Sequence, residues 1–164
     1  MKIIRLPISR WQDYKKFYIE SVTDSPQAFL WSTEEIDLKK DTEWQDRIKN
    51  MYFAIDDDNK LIGMSGFYCE EKKKLAHIAN IVRVYVSPKY RGKGIGKKLL
   101  LTVIEDIKSK PEIKKLQLGV MTTQTAAYNL YKSVGFKKIG EQKMAIWVGN
   151  EFYDKYLMEV LLDK

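Results

Sequence analysis

At 164 residues, 45% hydrophobic and 31% charged, the chain has the size and composition of one globular domain with a sizeable core, which excludes a disordered or fibrous polymer. Its formal net charge is +7, from 29 Lys+Arg against 22 Asp+Glu, which favours an anionic ligand: nucleic acid, an anionic membrane surface or a polyphosphate cofactor. No apolar run approaches the ~20 residues of a membrane helix. The start from Met1 to Leu6 meets Pro7 too soon for a secretory signal, so the cytoplasm is the expected location, with no membrane partner. Cys69 is the only cysteine, so no internal disulfide and no thiolate metal site can form. It reads as a small hydrophobe in a strand, ahead of a covalent acyl-cysteine.

Without repeats or Pro/Gly/Ser-rich linkers, residues 1–164 read as a single domain. Lys2 to Leu6 reads as a strand closed by Pro7. Trp11, Tyr14, Phe17 and Tyr18 fall at helical spacing after Ser9, and Asp24-Ser25-Pro26 breaks that helix. Ser32-Thr33-Glu34-Glu35 has the acids of a helix start, and a helix through Trp44 and Ile48 ends near Asn50. Tyr52 to Ile55 and Leu61 to Tyr68 form a hairpin about Asp56-Asp57-Asp58-Asn59. Those aspartates lack the alternating ligands, central Gly and distal Glu of a calcium loop, so no metal is expected. Ile78 to Val86, rich in β-branched residues, reads as a long buried strand ended by Pro88.

After the glycines, Leu99, Leu100, Val103, Ile104 and Ile107 repeat at helical spacing up to Lys110-Pro111. Leu116 to Val120 is a strand, and Thr125 to Val134 a helix with Gly135 at a left-handed C-terminal cap. Met144 to Val148, a Gly149-Asn150 turn and Tyr153 to Leu162 complete a hairpin. The order strand–helix–helix–three strands–helix–strand–helix–two strands implies an α/β domain with a mixed sheet.

Arg91-Gly92-Lys93-Gly94-Ile95-Gly96 lies between a strand and an amphipathic helix. A helix N-terminus leaves about four backbone N–H groups unpaired and carries partial positive charge, and glycines let an anion approach. Together they make a diphosphate cradle, with Arg91, Lys93, Lys97 and Lys98 adding charge. Gly96-Lys97 is followed by Lys98 rather than Ser or Thr, so this is not a magnesium-dependent P-loop. The spacing also lacks Gly-x-Gly-x-x-Gly, which excludes a dinucleotide fingerprint. Alone, glycines are a weak signal, and a tight strand-to-helix turn is the lesser alternative to an anion site.

The run from Val84 to Leu100 resembles the acetyl-CoA-binding segment of the GNAT superfamily of N-acetyltransferases. Its core Arg/Gln-x-x-Gly-x-Gly/Ala is met by Arg91, Gly94 and Gly96. Leu118-Gly119-Val120, Ala127 and Leu130-Tyr131-Lys132-Ser133-Val134-Gly135-Phe136 are similar to the family's second motif. The resemblance implies a GNAT-like α/β fold: a mixed, mostly antiparallel sheet of about seven strands flanked by helices. It implies acetyl-CoA as cosubstrate, an amine acceptor, and no metal, and it allows a homodimer. Val84, Tyr85 and Val86 match the strand whose backbone pairs with pantetheine, and the Val86 amide matches the oxyanion donor. The amides of Gly92, Lys93, Gly94, Ile95, Gly96 and Lys97 match the pyrophosphate site. Tyr131 matches the tyrosine that contacts the cofactor and protonates the departing thiolate, although Tyr128, Leu130, Tyr131 and Val134 equally make a helix face for a core. Gln124 stands where the family usually has Asn, and Asn129 is a second candidate contact.

The base is less legible. Asn80 aligns with the family's strand Glu and cannot act as one. His77 is of the residue type most often used as a general base, but it starts the strand. Glu34 and Glu35 could bind a cationic acceptor and take its proton, or could simply favour a helix N-terminus. The main reading is therefore direct acetyl transfer to a primary amine of a small molecule or peptide. The alternative is a non-catalytic acyl-CoA sensor or interaction module, resting on Asn80 and Gln124. No helix-turn-helix or stacking-aromatic motif supports nucleic-acid binding.

Overall fold

The computed structural model describes residues 1–162. Seven strands form one sheet in the order β1-β2-β3-β4-β5-β7-β6, with β1 Lys2–Ile4, β2 Met51–Ile55, β3 Leu61–Cys69, β4 Ile78–Val86, β5 Lys115–Met121, β6 Lys137–Val148 and β7 Glu151–Leu161. The helices are α1 Trp11–Asp24, α2 Thr33–Asp37, α3 Asp41–Arg47, α4 Ile95–Lys108 and α5 Thr125–Ser133. β1 with β2, β2 with β3, β5 with β7 and β6 with β7 pair antiparallel, and β4 pairs with β5 in parallel. Bonds from Ser87 N–H to Ile62 O and from Glu70 N–H to Ile78 O show that β3 and β4 also run antiparallel. The mixed, mostly antiparallel α/β fold expected above is the one observed. No helix among the described residues is long and apolar enough to cross a membrane.

Contacts divide the chain into two compact units. The first holds Met1–Gly66 and Arg83–Thr102. Its sheet obeys the period-2 alternation of strand side chains. Phe53, Ile55, Met64 and Tyr85 face one way, into a core with Tyr14, Phe17, Tyr18 and Val22 of α1 and Trp44 of α3. Ala54, Ile62 and the partly buried Val86 face the other way, against Ile95 and Leu99 at the start of α4. Tyr14 lies within the aromatic core, edge-on to Trp44 at 5.5 Å and to Phe53 at 5.4 Å. Such pairs add ~0.5–1.5 kcal/mol each beyond the area they bury.

The second unit holds Phe67–Val82 and the chain from Val103 onward. Here β4 pairs with β5 through Ile78–Lys115, Ala79–Leu116 and Asn80–Gln117. β5 pairs with β7 over its whole length, and β7 with β6. Ile107, Leu116, Val120, Phe136 and Met158 are fully or almost fully buried.

Three expectations needed correction. The helical region before Asn50 is two short helices separated by Leu38–Lys40, followed by a single 3₁₀ turn over Ile48–Asn50. The first strand stops at Ile4, before Leu6. β6 starts at Lys137 rather than Met144: its first seven residues are mostly polar and exposed, so they carry no alternation to read.

Gly63 sets the spacing between the sheet and α4. A Cβ there would lie 2.9 Å from Leu99 Cδ1 and 3.2 Å from Tyr85 O. We expect Gly63→Val to destabilise the fold by ~1–3 kcal/mol, measured as a lowered urea midpoint.

Candidate functional site

In the first unit, β4 ends at Val86 and the chain makes a 3₁₀ turn over Pro88–Tyr90 before the glycine loop. Gly92 and Gly94 both have φ +75°, a left-handed conformation that L side chains rarely adopt, and a Cβ at either would meet no atom within 4 Å. Gly94 O accepts the first helical bond, from Lys98 N–H at 3.1 Å. The backbone N–H groups of Gly92, Lys93, Gly94, Ile95, Gly96 and Lys97 donate to no protein acceptor among the described residues. The buried Ile95 side chain plugs the loop into the core beneath it. Lys93, Lys97 and Lys98 are exposed and have no carboxylate partner among the described residues. Unpaired amides, left-handed glycines, a helix N-terminus and exposed lysines without carboxylate partners suit a diphosphate.

Arg91 does something the sequence did not disclose. Its guanidinium pairs with Asp24 at the end of α1, and its Nε donates to Val86 O at 2.9 Å. Ser87 N–H, in the same peptide unit as that carbonyl, donates to Ile62 O at 3.0 Å. The peptide ending β4 is therefore held from both sides. Tyr90 donates its phenol proton to Asp56 Oδ2 at 3.0 Å, which ties the loop to the β2–β3 turn. Asp56 Oδ1 also accepts the N–H groups of Asp58 and Lys60, so the aspartate run is a hydrogen-bonded turn. No group of metal-ligating side chains occurs among the described residues. Tyr85 buries its ring in the core, where burial and the neighbouring Asp24 and Glu20 push its phenol above the ordinary range. Its contribution to a ligand is therefore confined to its backbone. The backbone of Val84, Tyr85 and Val86 takes no part in the registered β4–β5 pairs.

Ser32 caps α2, its hydroxyl accepting from Glu35 N–H at 3.3 Å while Ser32 N–H donates to Glu35 Oε2 at 2.8 Å. Glu35 is thus half of a capping box. Glu34 is exposed, and hydrogen bonds from its own backbone, Ser32 and Thr33 hold its carboxyl below the usual range.

In the second unit, Tyr131 is buried in α5 with its ring edge-on to Phe136 at 6.2 Å, and burial raises its phenol above the ordinary value. Gly135 adopts φ +101° and donates to Lys132 O, and Phe136 N–H donates to Tyr131 O, which together make the expected left-handed cap. Gln124 is the N-cap residue of α5, with no side-chain capping bond; Asn129 is exposed. His77 is exposed in the turn before β4, and its carbonyl accepts Lys114 N–H and Lys115 N–H. Asn80 donates to Glu70 Oε1 at 3.0 Å and accepts from Gln117 Nε2 at 2.8 Å. Glu70, at the end of a strand and outside any motif, gave no sequence signal that it stands beside Asn80.

Comparison with known proteins identifies the family and the fold. Residues 11–136 match the family model described as the acetyltransferase (GNAT) family. The chain belongs to the GNAT acetyltransferase family. It is 24% identical over 119 residues to a mycothiol acetyltransferase of Salinispora tropica, covering 73% of this chain and 38% of that protein. Against a spermidine N(1)-acetyltransferase of Thermoplasma acidophilum the identity is 29% over 136 residues, covering 82% and 80%. The chain spans 54% of the length of human N-acetyltransferase 8, at 26% identity over 70% of this chain, so it covers about half or less of several curated relatives. The fold matches a GNAT-family acetyltransferase of Streptococcus pneumoniae with TM-score 0.85 at 22% identity, over 98% of this chain and 99% of that one. It also matches a phosphinothricin acetyltransferase of Sinorhizobium meliloti, solved in complex with acetyl-CoA, with TM-score 0.81 at 19% identity over 98% and 88%.

Because the space at Gly94 is open, a glutamate there would meet the ligand rather than the protein. We expect Gly94→Glu and Gly96→Glu each to abolish acetyl-CoA binding in calorimetry, with the left-handed backbone at Gly94 adding a stability cost on the order of 1–2 kcal/mol.

Proposed function

We propose that the chain transfers the acetyl group of acetyl-CoA to a primary amine of a small molecule or peptide, by direct attack in a ternary complex. The carrying observation is the row of unpaired amides from Gly92 to Lys97 behind two left-handed glycines. The family membership, and relatives named as N-acetyltransferases, support the same reaction.

In this reading the loop amides take the pyrophosphate, and the backbone of Val84, Tyr85 and Val86 takes the pantetheine. The amine lone pair attacks the thioester carbonyl, the C–N bond forms and the carbonyl carbon becomes tetrahedral. The Val86 N–H stabilises the oxyanion, a contribution of ~3 kcal/mol for a well-placed donor. Collapse breaks the C–S bond, and Tyr131 gives its proton to the thiolate. A phenol whose titration burial has moved upward stays protonated at neutral pH, as a donor must. Gln124 and Asn129 are the proposed side-chain contacts to the cofactor from α5. Of the three candidate bases, Glu35 is engaged in its capping box and Glu34 is a weakened base. His77 makes no side-chain hydrogen bond among the described residues, but it precedes β4, nine residues or about 30 Å along the strand from Val86, so the base that takes the amine's proton is not among these three.

A specific observation favours the second reading, a non-catalytic acyl-CoA sensor. Asn80, aligned with the family's strand Glu, is hydrogen-bonded through both its amide nitrogen and its amide oxygen. Thiol release from acetyl-CoA over a panel of amines, amino acids, polyamines and peptides separates the two. Release with any acceptor supports transfer, and tight acetyl-CoA binding without release supports the sensor. Tyr131→Phe should lower kcat by about 100-fold with the KM for acetyl-CoA within about threefold; equal turnover would remove Tyr131 from the mechanism.

A further inference from the structure

Within the first unit, Arg47 stands among aromatic rings with Arg83 close enough for their charges to interact, and neither forms an ion pair with a carboxylate among the described residues. The Arg47 guanidinium lies 3.4 Å from the ring centroid of Trp31, 5.6 Å from that of Tyr18 and 6.0 Å from that of Trp44. Arg83 reaches the same place from β4, its Nη1 lying 3.6 Å from Met51 Sδ. Both side chains are half-buried, and neither forms an ion pair among the described residues. The charged and polar groups acting on Arg47 are Arg83, Tyr14, Tyr18 and, on its own helix, Glu43, with the Tyr14 hydroxyl lying beside the guanidinium; burial and the like charge of Arg83 lower its affinity for its proton. Glu35, whose charge is felt at Tyr18, has its Oε2 engaged by Ser32 N–H.

Two further features point to a missing acceptor of hydrogen bonds. Four buried side-chain polar atoms lack a partner among the described residues, and three belong to this cluster: Tyr14 OH, Trp44 Nε1 and Arg47 Nε. All three can donate. Arg83 has φ +56°, a left-handed backbone that costs a residue with a Cβ on the order of 1–2 kcal/mol. Such strain persists where surrounding structure holds a side chain in a needed direction. A partly desolvated pair of like charges calls for an anion, and the guanidinium fork matches a carboxylate in two parallel bonds.

We propose that Arg47 and Arg83, on the aromatic wall of Trp31, Tyr18 and Trp44, bind a carboxylate carried by the acetyl acceptor. The acceptor is then an amino acid or a close amino-carboxylate, not a polyamine; this rests on the acetyl-transfer reading. Arg83 lies three residues before Val86 in one strand, about 10 Å along the backbone. That span fits a small molecule held by its carboxylate at the arginines with its amine toward the thioester.

The test pairs each acid with its decarboxylated amine: L-methionine with 3-(methylthio)propylamine, L-phenylalanine with 2-phenylethylamine and L-tryptophan with tryptamine, with spermidine as the cationic control. Thiol release should favour the acids by at least 10-fold in kcat/KM. Arg47→Gln and Arg83→Gln should each reduce that preference by roughly 10- to 100-fold, with acetyl-CoA affinity unchanged as proof of folding. Arg47→Lys, which keeps the charge without the fork, should recover only part of it. Equal use of acids and amines, preference for spermidine, or equal loss of both substrates in the variants would overturn the carboxylate site while leaving acetyl transfer standing. Calorimetry with the same acids and their N-acetyl derivatives, with and without coenzyme A, provides a readout independent of turnover. Binding that both glutamine variants lose supports the site even if no thiol is released, and its absence from the unsubstituted protein overturns it.

Discussion

The glycine loop depends on how the end of β4 is fixed. A loop of glycines and lysines has little of its own to order it, since fixing each residue's backbone costs ~1–2 kcal/mol of conformational entropy. Arg91 supplies that order by bridging Val86 O to Asp24, and Ile95 does so by burying itself against Ile62 and Leu99. Tyr90 adds a third tie, to Asp56. Between these anchors the amides of Gly92 to Lys97 are left to a ligand. The residue that identifies the motif is thus a brace for the strand end as much as a charge beside a phosphate.

The two faces of the first unit's sheet divide the labour. The α4 face carries Val86 and the loop, and Gly63 allows helix and strand to close on one another there. The other face carries the aromatic core under α1 and α3, with Arg47 and Arg83 at its polar margin. Cofactor binding and acceptor recognition are proposed for the two sides of β4, where Arg83 interrupts the regular extended backbone with a left-handed conformation.

Regular periodicity made most of this fold legible. β4 and α1 carry unambiguous apolar patterns, and α5 with its Gly135 cap was placed to within a residue. β6 escaped because its first half, Lys137 to Lys143, is exposed and mostly polar and so has no buried face to alternate. The loop was legible as a motif, but Asp24 was not, because its pairing with Arg91 joins positions 67 apart in sequence. Arg83 did give a signal: it is the lone charge in the apolar run from Ile78 to Val86. Arg47 gave none, since an arginine near the end of a helix is ordinarily a solvated residue favoured by the helix dipole. The acids Glu34 and Glu35 were the conspicuous ones, and the structure uses Glu35 as a cap.

The late start of β6 has a further consequence. A sheet of seven strands has two open margins, and an open margin can recruit strands from other molecules into aggregates. Here one margin is β1, only three residues long. The other is β6, whose register with β7 breaks between Lys138 and Gly140 and again between Gln142 and Ile146, with Met144 in a left-handed conformation. Lys137, Lys138 and Lys143 stand exposed along it. Neither margin offers an unbroken flat template, so the polar irregularity that hid this strand from view also protects the folded protein from edge-to-edge association.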